Sequence, residues 1–480
     1  APPPATTPMV RRQRPPLRTV HQFHAGSATG DAITSAMLMT RRLLREAGYR
    51  SDIFVEQRGP GLEADGLRLV DELPRHDGYV LVVRHSMGHR SLDRLLALPA
   101  PKVLIYHNIT PPEHLGHPAL RAAAREGRTD LARLRPHVSA ALADSEYNAL
   151  ELRALGFDPV RTCPLLIDPA ALRAAAGRAR EAARPPDAPF TILFVGRIIE
   201  SKGQLELIES FAQFIHPFGG PARLVLVGRH DGAGDAYLES LFAAIRRTGV
   251  DAQVTVTGAL PDAERDAWYA RADLYVSLSH HEGFGVPLIE AMAHGVPVLA
   301  WPSGAVAGTL ATTTLDGAAE LVADPSPSAV AAQMLGLARD PLRRAAMAQA
   351  GRRVLDRYDP ARHMPRLIEA LVRAGAAPPP DPAARGALAA AMRFAVTGRP
   401  RAAVRGDAAG RHRPGARSRA GRDGAAGGPH GAGDRAGGGG QPALPGPSAA
   451  GPGRPAAGAD VLGGVPHAGG HGDAARPVPR

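Results

Sequence analysis

The chain has 480 residues, 44% of them hydrophobic, with a formal net charge of +11 and a single cysteine. That length exceeds what one hydrophobic core serves and points to two or three domains of about 150 residues. Cys163 alone excludes an intramolecular disulfide framework, and no apolar run approaches the ~18 residues of a membrane span. The charge is no nucleic-acid signal: residues 376–480 hold 14 Arg and 6 Asp, a net of +8, which leaves +3 for the rest, an ordinary value for a globular protein.

Residues 1–18 read as a flexible N-terminus. The segment APPPATTPMVRRQRPPL has Arg and Pro but no apolar stretch after them, so it is not a signal peptide, and Met9 is a candidate start with residues 1–8 upstream of it. From Thr19 short apolar runs alternate with amphipathic segments. Strands are expected at Thr19–Phe23, Ser51–Val55, Tyr79–Val83, Lys102–Ile105 and Ala140–Ala143, with a helix over Ala32–Ala47 ended by Gly48. This alternation predicts βαβ units on a parallel sheet in a domain covering 19–170. Residues 171–189 are rich in Ala, Arg and Pro and read as a helix and linker broken at Pro185-Pro186.

A second block, 190–359, repeats the pattern. Strands are expected at Phe190–Val195, Ala222–Val227, Val254–Val256, Leu274–Leu278 and Pro297–Ala300, and helices at Leu205–Ile215, Ala236–Arg247, Asp262–Ala270 and Leu288–Ala293. A helix over Pro360–Arg373 closes the block, giving a segment of 360–375. Residues 376–480 are dominated by Gly, Ala, Pro and Arg without apolar periodicity and are expected to be disordered. A natural tail and a frameshifted reading of GC-rich DNA both produce such text. Cys163 reads as a small buried apolar residue.

Two motifs carry chemistry. The first runs from Ser279 to Ala293 and lies between a strand and a helix. Gly283 and Gly285 let the backbone approach a ligand, and Pro287 suits a first helical turn. The free N–H groups and positive helix end favour an anion such as a diphosphate. Glu282 and Glu290, eight positions apart, add acceptors suited to sugar hydroxyls. In the second motif, Gly196-Arg197 follows a strand and Lys202 comes five residues later, which sets two cations at the carboxyl end of the sheet. Lys202 is one of only two lysines in the chain.

The E-x7-E spacing of Glu282 and Glu290, with the G-R-x4-K-G of Gly196 to Gly203, closely resembles glycosyltransferase family 4. The resemblance covers nearly all of 19–375. It includes Asp144-Ser145-Glu146-Tyr147-Asn148, Cys163 to Asp168, Val225 to Gly228, and Val256-Thr257-Gly258. It implies an α/β GT-B fold: two Rossmann-like domains facing across a cleft, the acceptor on the N-terminal one and the nucleotide-sugar donor on the C-terminal one. The helix 360–375 would cross back to the first domain.

By the same resemblance, Arg197 and Lys202 would neutralise the donor diphosphate, and Glu282 would hold the transferred sugar near the amides of Gly283, Phe284 and Gly285. Glu290 would bind the ribose, and Gly258 would lie near the base. His107 matches the family's active-site histidine, and the Gly30-Asp31 loop matches an acceptor or phosphate loop. His85 and His89 have i, i+4 spacing, yet no carboxylate or third ligand accompanies them, so they read as a solvated loop and no metal site is expected.

The resemblance thus implies a retaining, metal-independent enzyme without a cofactor, moving a hexose-type sugar to a glycan or lipid-linked acceptor, with fixed cations in place of a metal. Cell-surface polysaccharide synthesis and a cytoplasmic location are expected, with peripheral contact at the inner face of the membrane as a further setting; no nucleic-acid partner is expected. The competing readings are a non-catalytic GT-B scaffold, a nucleotide-sugar epimerase, and tethering of the basic tail to anionic lipid or nucleic acid.

Overall fold

The computed structural model describes residues 16–379 except 181–184, 186, 231–234 and 309–316. Most of the expected N-terminal and C-terminal tails and Pro186 of the expected linker break lie outside the described residues.

Among the described residues, thirteen short strands form two sheets. The first contains β1 (Val20–Gly26), β2 (Ile53–Gln57), β3 (Leu67–Leu69), β4 (Val80–His85), β5 (Lys102–Tyr106), β6 (Val138–Ala143) and β7 (Val160–Thr162), in the order β3-β2-β1-β4-β5-β6-β7. The second contains β8 (Phe190–Val195), β9 (Ala222–Val227), β10 (Val254–Gly258), β11 (Leu274–Ser277), β12 (Val298–Ala300) and β13 (Ala319–Leu321), in the order β10-β9-β8-β11-β12-β13. Every described pairing is parallel. All six residues of β4 and of β8 are buried, as strands covered by helices on both faces must be. Each sheet reverses direction once, between β1 and β4 and between β8 and β11. At such a switch point neighbouring connections leave on opposite faces and open a crevice at the carboxyl ends of the strands.

The covering helices are α1 (Ala32–Glu46), α2 (Leu92–Ala97), α3 (Pro118–Leu134), α4 (Glu146–Ala154), α5 (Pro169–Arg180), α6 (Gln204–Phe218), α7 (Ala236–Thr248), α8 (Asp262–Arg271), α9 (Val286–His294), α10 (Pro327–Arg339), α11 (Pro341–Val354) and α12 (Pro360–Arg373). In α12, Met364, Leu367, Ile368 and Leu371 recur at one-turn spacing, which makes one apolar stripe. That stripe packs with Val20, Val80, Val82 and Val103 of the first sheet. The chain's last described helix therefore covers the first sheet, although the second sheet precedes it in sequence.

The expected flexible ends and the solvated loop at His85 and His89 need correction. Leu17 and Ala376-Ala377, assigned to flexible ends, are joined by backbone bonds: Leu17 N donates to Gly375 O at 3.0 Å and Ala377 N to Leu17 O at 2.7 Å. Composition cannot register backbone pairing. The helix expected at the start of 171–189 forms as α5, with Leu172 packed against the second domain's apolar cluster and Ala176 buried. The stretch 112–135, to which no element is assigned above, holds α3, whose buried face includes small residues Ala124 and Gly127 and so gives a weak apolar signal. His85 and His89 are buried rather than solvated: His85 Nε2 bonds the Gly127 carbonyl at 2.8 Å, and His89 Nδ1 bonds Glu56 Oε1 at 3.3 Å. Their strand-end position turns both rings toward α3 and β2.

Burial holds the His21, His24 and His85 imidazoles in the first domain down at about 4. An unfolded chain takes up a proton on each near pH 6.5. The stability of the neutral rings is thus complete above about pH 6.5 and is lost as pH falls toward 4. Asp130, pushed up to about 6 by burial, works in the opposite direction but is one group against three. Calorimetric melting is expected to show a transition about 10 °C lower at pH 5 than at pH 7; a pH-independent transition would contradict the burial of these rings.

Candidate active site

The loops after β8 and β11 meet in the second domain, and the loop after β5 of the first domain comes up against the loop after β11. In the second domain, β8 ends at Val195 and the chain turns through Gly196 and Arg197, whose side chain is exposed. Gly228 at the end of β9 makes this turn feasible, because a Cβ there would lie 1.7 Å from Gly196 O. Gly203, at φ +68°, then starts α6, and a Cβ there would meet Leu278 O at 2.3 Å. His280 N donates to Ser201 O at 2.9 Å. These close approaches press the Lys202 turn against the loop after β11. Lys202 Nζ there donates to Glu282 Oε1 at 2.5 Å, with both side chains about four-fifths buried.

The loop after β11 enters α9 through Gly285, at φ +92°, with Pro287 in the first turn. Its first-turn N–H groups have no intrahelical partners, so they and the helix dipole favour negative charge there. Glu290 follows one turn in and is half-buried. Its Oε2 accepts from Tyr269 Oη at 2.9 Å, and burial raises its pKa while Arg265 opposes the rise. Gly258, at φ +73°, ends β10, and its carbonyl accepts from Gly228 N at 3.0 Å. Phe284 is buried against Tyr358.

The first domain supplies the opposite wall. His107 follows β5 and its ring is 1% exposed. A carboxylate only accepts and a guanidinium only donates, so the partners fix the tautomer: Nδ1–H donates to Asp144 Oδ2 at 2.6 Å, and Nε2 accepts from Arg84 Nη1 at 3.2 Å. Arg84 is itself buried, donating to Gln22 Oε1 at 3.1 Å and Thr40 Oγ1 at 2.7 Å. Both ring nitrogens of His107, expected beside the sugar, are thus used within the domain. What meets the second domain is its backbone: a Cβ at Gly283 would lie 2.7 Å from His107 O and 2.9 Å from Asn108 Cβ. Glycine alone allows that approach.

Gly30 is exposed with φ +75°. Asp31 caps α1, its Oδ2 accepting from Thr34 N at 2.8 Å. The carboxylate therefore occupies the helix end where a phosphate would sit, which argues against Asp31 as part of a phosphate loop. Among the described residues, no group of three His, Cys, Asp or Glu side chains is placed to hold a metal ion, and no helix is long and apolar enough to cross a membrane.

The structure brings Lys202 to Glu282 and Gly283 to the backbone of His107. Arg84 on His107 and Tyr269 on Glu290 stand in no motif, and Asp144, Asn148 and His281 stand in motifs that assign them no role. Asn108 stands as an ordinary loop residue in sequence, yet among the described residues it alone of the non-glycines has positive φ, at +71°.

Residues 177–354 match the family described as Glycosyl transferases group 1. The D-inositol 3-phosphate glycosyltransferase of Kineococcus radiotolerans is 35% identical over 231 residues, which is 44% of this chain and 52% of that protein. D-inositol 3-phosphate glycosyltransferase 2 of Catenulispora acidiphila is 35% identical over 213 residues, 42% of this chain and 48% of that one. The chain spans about half the length of these curated relatives. In structure it is similar to Anabaena HepE in complex with UDP-glucose, with 18% identity, a TM-score of 0.59, and coverage of 74% of this chain and 99% of that one. Sucrose-phosphate synthase from Thermosynechococcus elongatus gives 18% identity and a TM-score of 0.57, covering 74% of this chain and all of that one. The fold is thus GT-B, two Rossmann-like domains as the motifs implied, and the second domain is related in sequence to group 1 glycosyltransferases.

Proposed function

We propose that the chain is a retaining glycosyltransferase of family 4 that moves a hexose-type sugar from a nucleoside diphosphate to a glycan or glycolipid acceptor without a metal ion. The observation carrying this reading is the pairing of Lys202 with Glu282 at the mouth of α9, with Glu290 one turn inside. Phosphate-binding and hydroxyl-binding groups stand side by side there, as a sugar diphosphate needs.

As the glycosidic bond lengthens, negative charge grows on the departing diphosphate. Arg197, Lys202 and the N-terminal amides of α9 offset that charge more strongly as it develops, which lowers the barrier. Glu282 holds sugar hydroxyls and Glu290 the ribose. The acceptor attacks from the face the diphosphate leaves, and a departing phosphate oxygen takes the acceptor's proton, so configuration is retained. The narrow contact between Gly283 and the first domain limits water at the reacting carbon. The curated relatives act on D-inositol 3-phosphate by name; a phosphorylated cyclitol is therefore one acceptor to assay beside glycans and glycolipids. A cytoplasmic site of action, at the membrane face for lipid-linked acceptors, fits this chemistry.

Calorimetric titration of the full chain with UDP, GDP and ADP, without divalent ions, tests the donor site. One nucleotide is expected to bind, and Glu290→Gln to weaken it about tenfold through loss of a charged acceptor. If none of the three binds to folded protein, the donor-site reading is wrong. NMR of the product's anomeric proton tests retention, and an inverted product would overturn it.

A further inference from the structure

A ring of side-chain amides crosses the cleft beside Glu282. His281 Nε2 donates to Asn108 Oδ1 at 2.5 Å, Asn108 Nδ2 donates to Asn148 Oδ1 at 2.9 Å, and Asn148 Nδ2 donates to Gly283 O at 3.1 Å. The path leaves the second domain at His281, runs through two residues of the first and returns at Gly283, so Glu282 lies between its two ends. All three side chains belong to buried residues, Asn148 being 0% exposed.

We infer that Asn108, Asn148 and His281 form an interdomain clasp that positions the Glu282–Gly283 segment for sugar transfer, an inference that rests on the function proposed above. Each amide oxygen accepts once, and Asn108 Nδ2 reaches Glu151 Oε2 at 3.4 Å as well as Asn148 Oδ1, so the direction of every bond along the path is determined by the next. Asn108 adopts left-handed backbone at φ +71°, a conformation that Asn tolerates better than most residues and that persists only where surroundings over-determine it. Ile109 is anchored beside it, its N–H donating to Tyr106 Oη at 3.2 Å and its carbonyl accepting from Arg128 Nη2 at 2.7 Å. Asn148 is fixed in the first turn of α4, where its N–H donates to the capping Ser145 Oγ at 3.2 Å. The absence of a side chain on Gly283 lets its loop come within reach. A merely structural contact would need none of this directionality, because an apolar pair would pack the two loops equally well.

The near-isosteric change Asn148→Asp tests the clasp. It retains an acceptor for Asn108 but turns a carboxylate toward the Gly283 carbonyl. In the full chain, kcat for sugar transfer is expected to fall about 10- to 100-fold. The Kd for the nucleoside diphosphate should stay within about threefold, since Arg197, Lys202 and Glu290 are untouched. His281→Gln, which keeps an N–H donor, should lose less kcat than His281→Leu. An unchanged kcat in Asn148→Asp, or equal losses in the two His281 variants, overturns the clasp. If wild-type protein binds no nucleotide, the underlying function fails instead. Small-angle scattering of wild type and Asn148→Asp then decides the clasp alone: a larger radius of gyration in the variant supports it, and identical curves overturn it.

Discussion

Arg197→Ala is expected to lower kcat by about 10²- to 10³-fold while raising KM for the nucleotide sugar less than tenfold. Arg197 is exposed at the end of β8, on the switch-point side of the second sheet. In the ground state a nucleotide sugar already carries diphosphate charge, so part of the guanidinium's attraction is uniform binding and appears in KM. The charge released when the sugar departs is new, and attraction to that increment appears in kcat. Arg197→Lys should recover only part of the loss, because an ammonium is a point charge and cannot hold two phosphate oxygens in one plane. Steady-state turnover in the presence of a chelator makes the measurement. If both variants keep full kcat, Arg197 does not stabilise the leaving group; if wild type is inactive until divalent ions are restored, fixed cations do not suffice.

The two sheets and the strand–loop–helix junction after β11 are legible in the sequence for a specific reason. Strands such as Phe190–Val195 are continuous apolar runs, and the loop after β11 concentrates Gly, Pro and Glu at fixed spacing. Those features are local. The edge strands β3, β7 and β13 have three residues each, too few for any periodicity to show. Asp144 lies in a motif of the family resemblance, but its partner His107 is 37 residues away, and the pairing depends on the neighbouring registers of β5 and β6. Asn148 and Gly283 are 135 residues apart and belong to different domains. Such contacts follow from topology, not from spacing. His85 and His89, expected in a solvated loop, sit at a strand end and in the loop after it, and the packing of α3 and β2 that buries both rings has no local sequence signal.

The pair Lys202–Glu282 yields a prediction with opposite signs for binding and turnover. The carboxylate holds the ammonium at 2.5 Å, so a diphosphate bound there would compete with Glu282 for that cation. Glu282→Gln frees Lys202 and removes a negative charge from the anion site, so nucleoside diphosphate binding should tighten about threefold, worth ~0.6 kcal/mol. The same variant should lose about 10- to 100-fold in kcat, because an amide holds sugar hydroxyls less firmly than a carboxylate does. Lys202→Met acts the other way on affinity. It leaves Glu282 facing the diphosphate without an offsetting charge, so nucleotide binding should weaken at least tenfold and kcat fall by about 10²-fold. In the double variant Lys202→Met/Glu282→Gln the repulsive carboxylate is gone as well. Its loss of kcat should therefore be smaller than the product of the single losses, with a coupling of about 1–2 kcal/mol. Calorimetry and turnover on the four proteins complete the cycle. Strict additivity would mean that the two side chains act on the donor independently and that their contact is incidental to transfer; weaker nucleotide binding by Glu282→Gln would mean that the carboxylate itself holds the nucleotide.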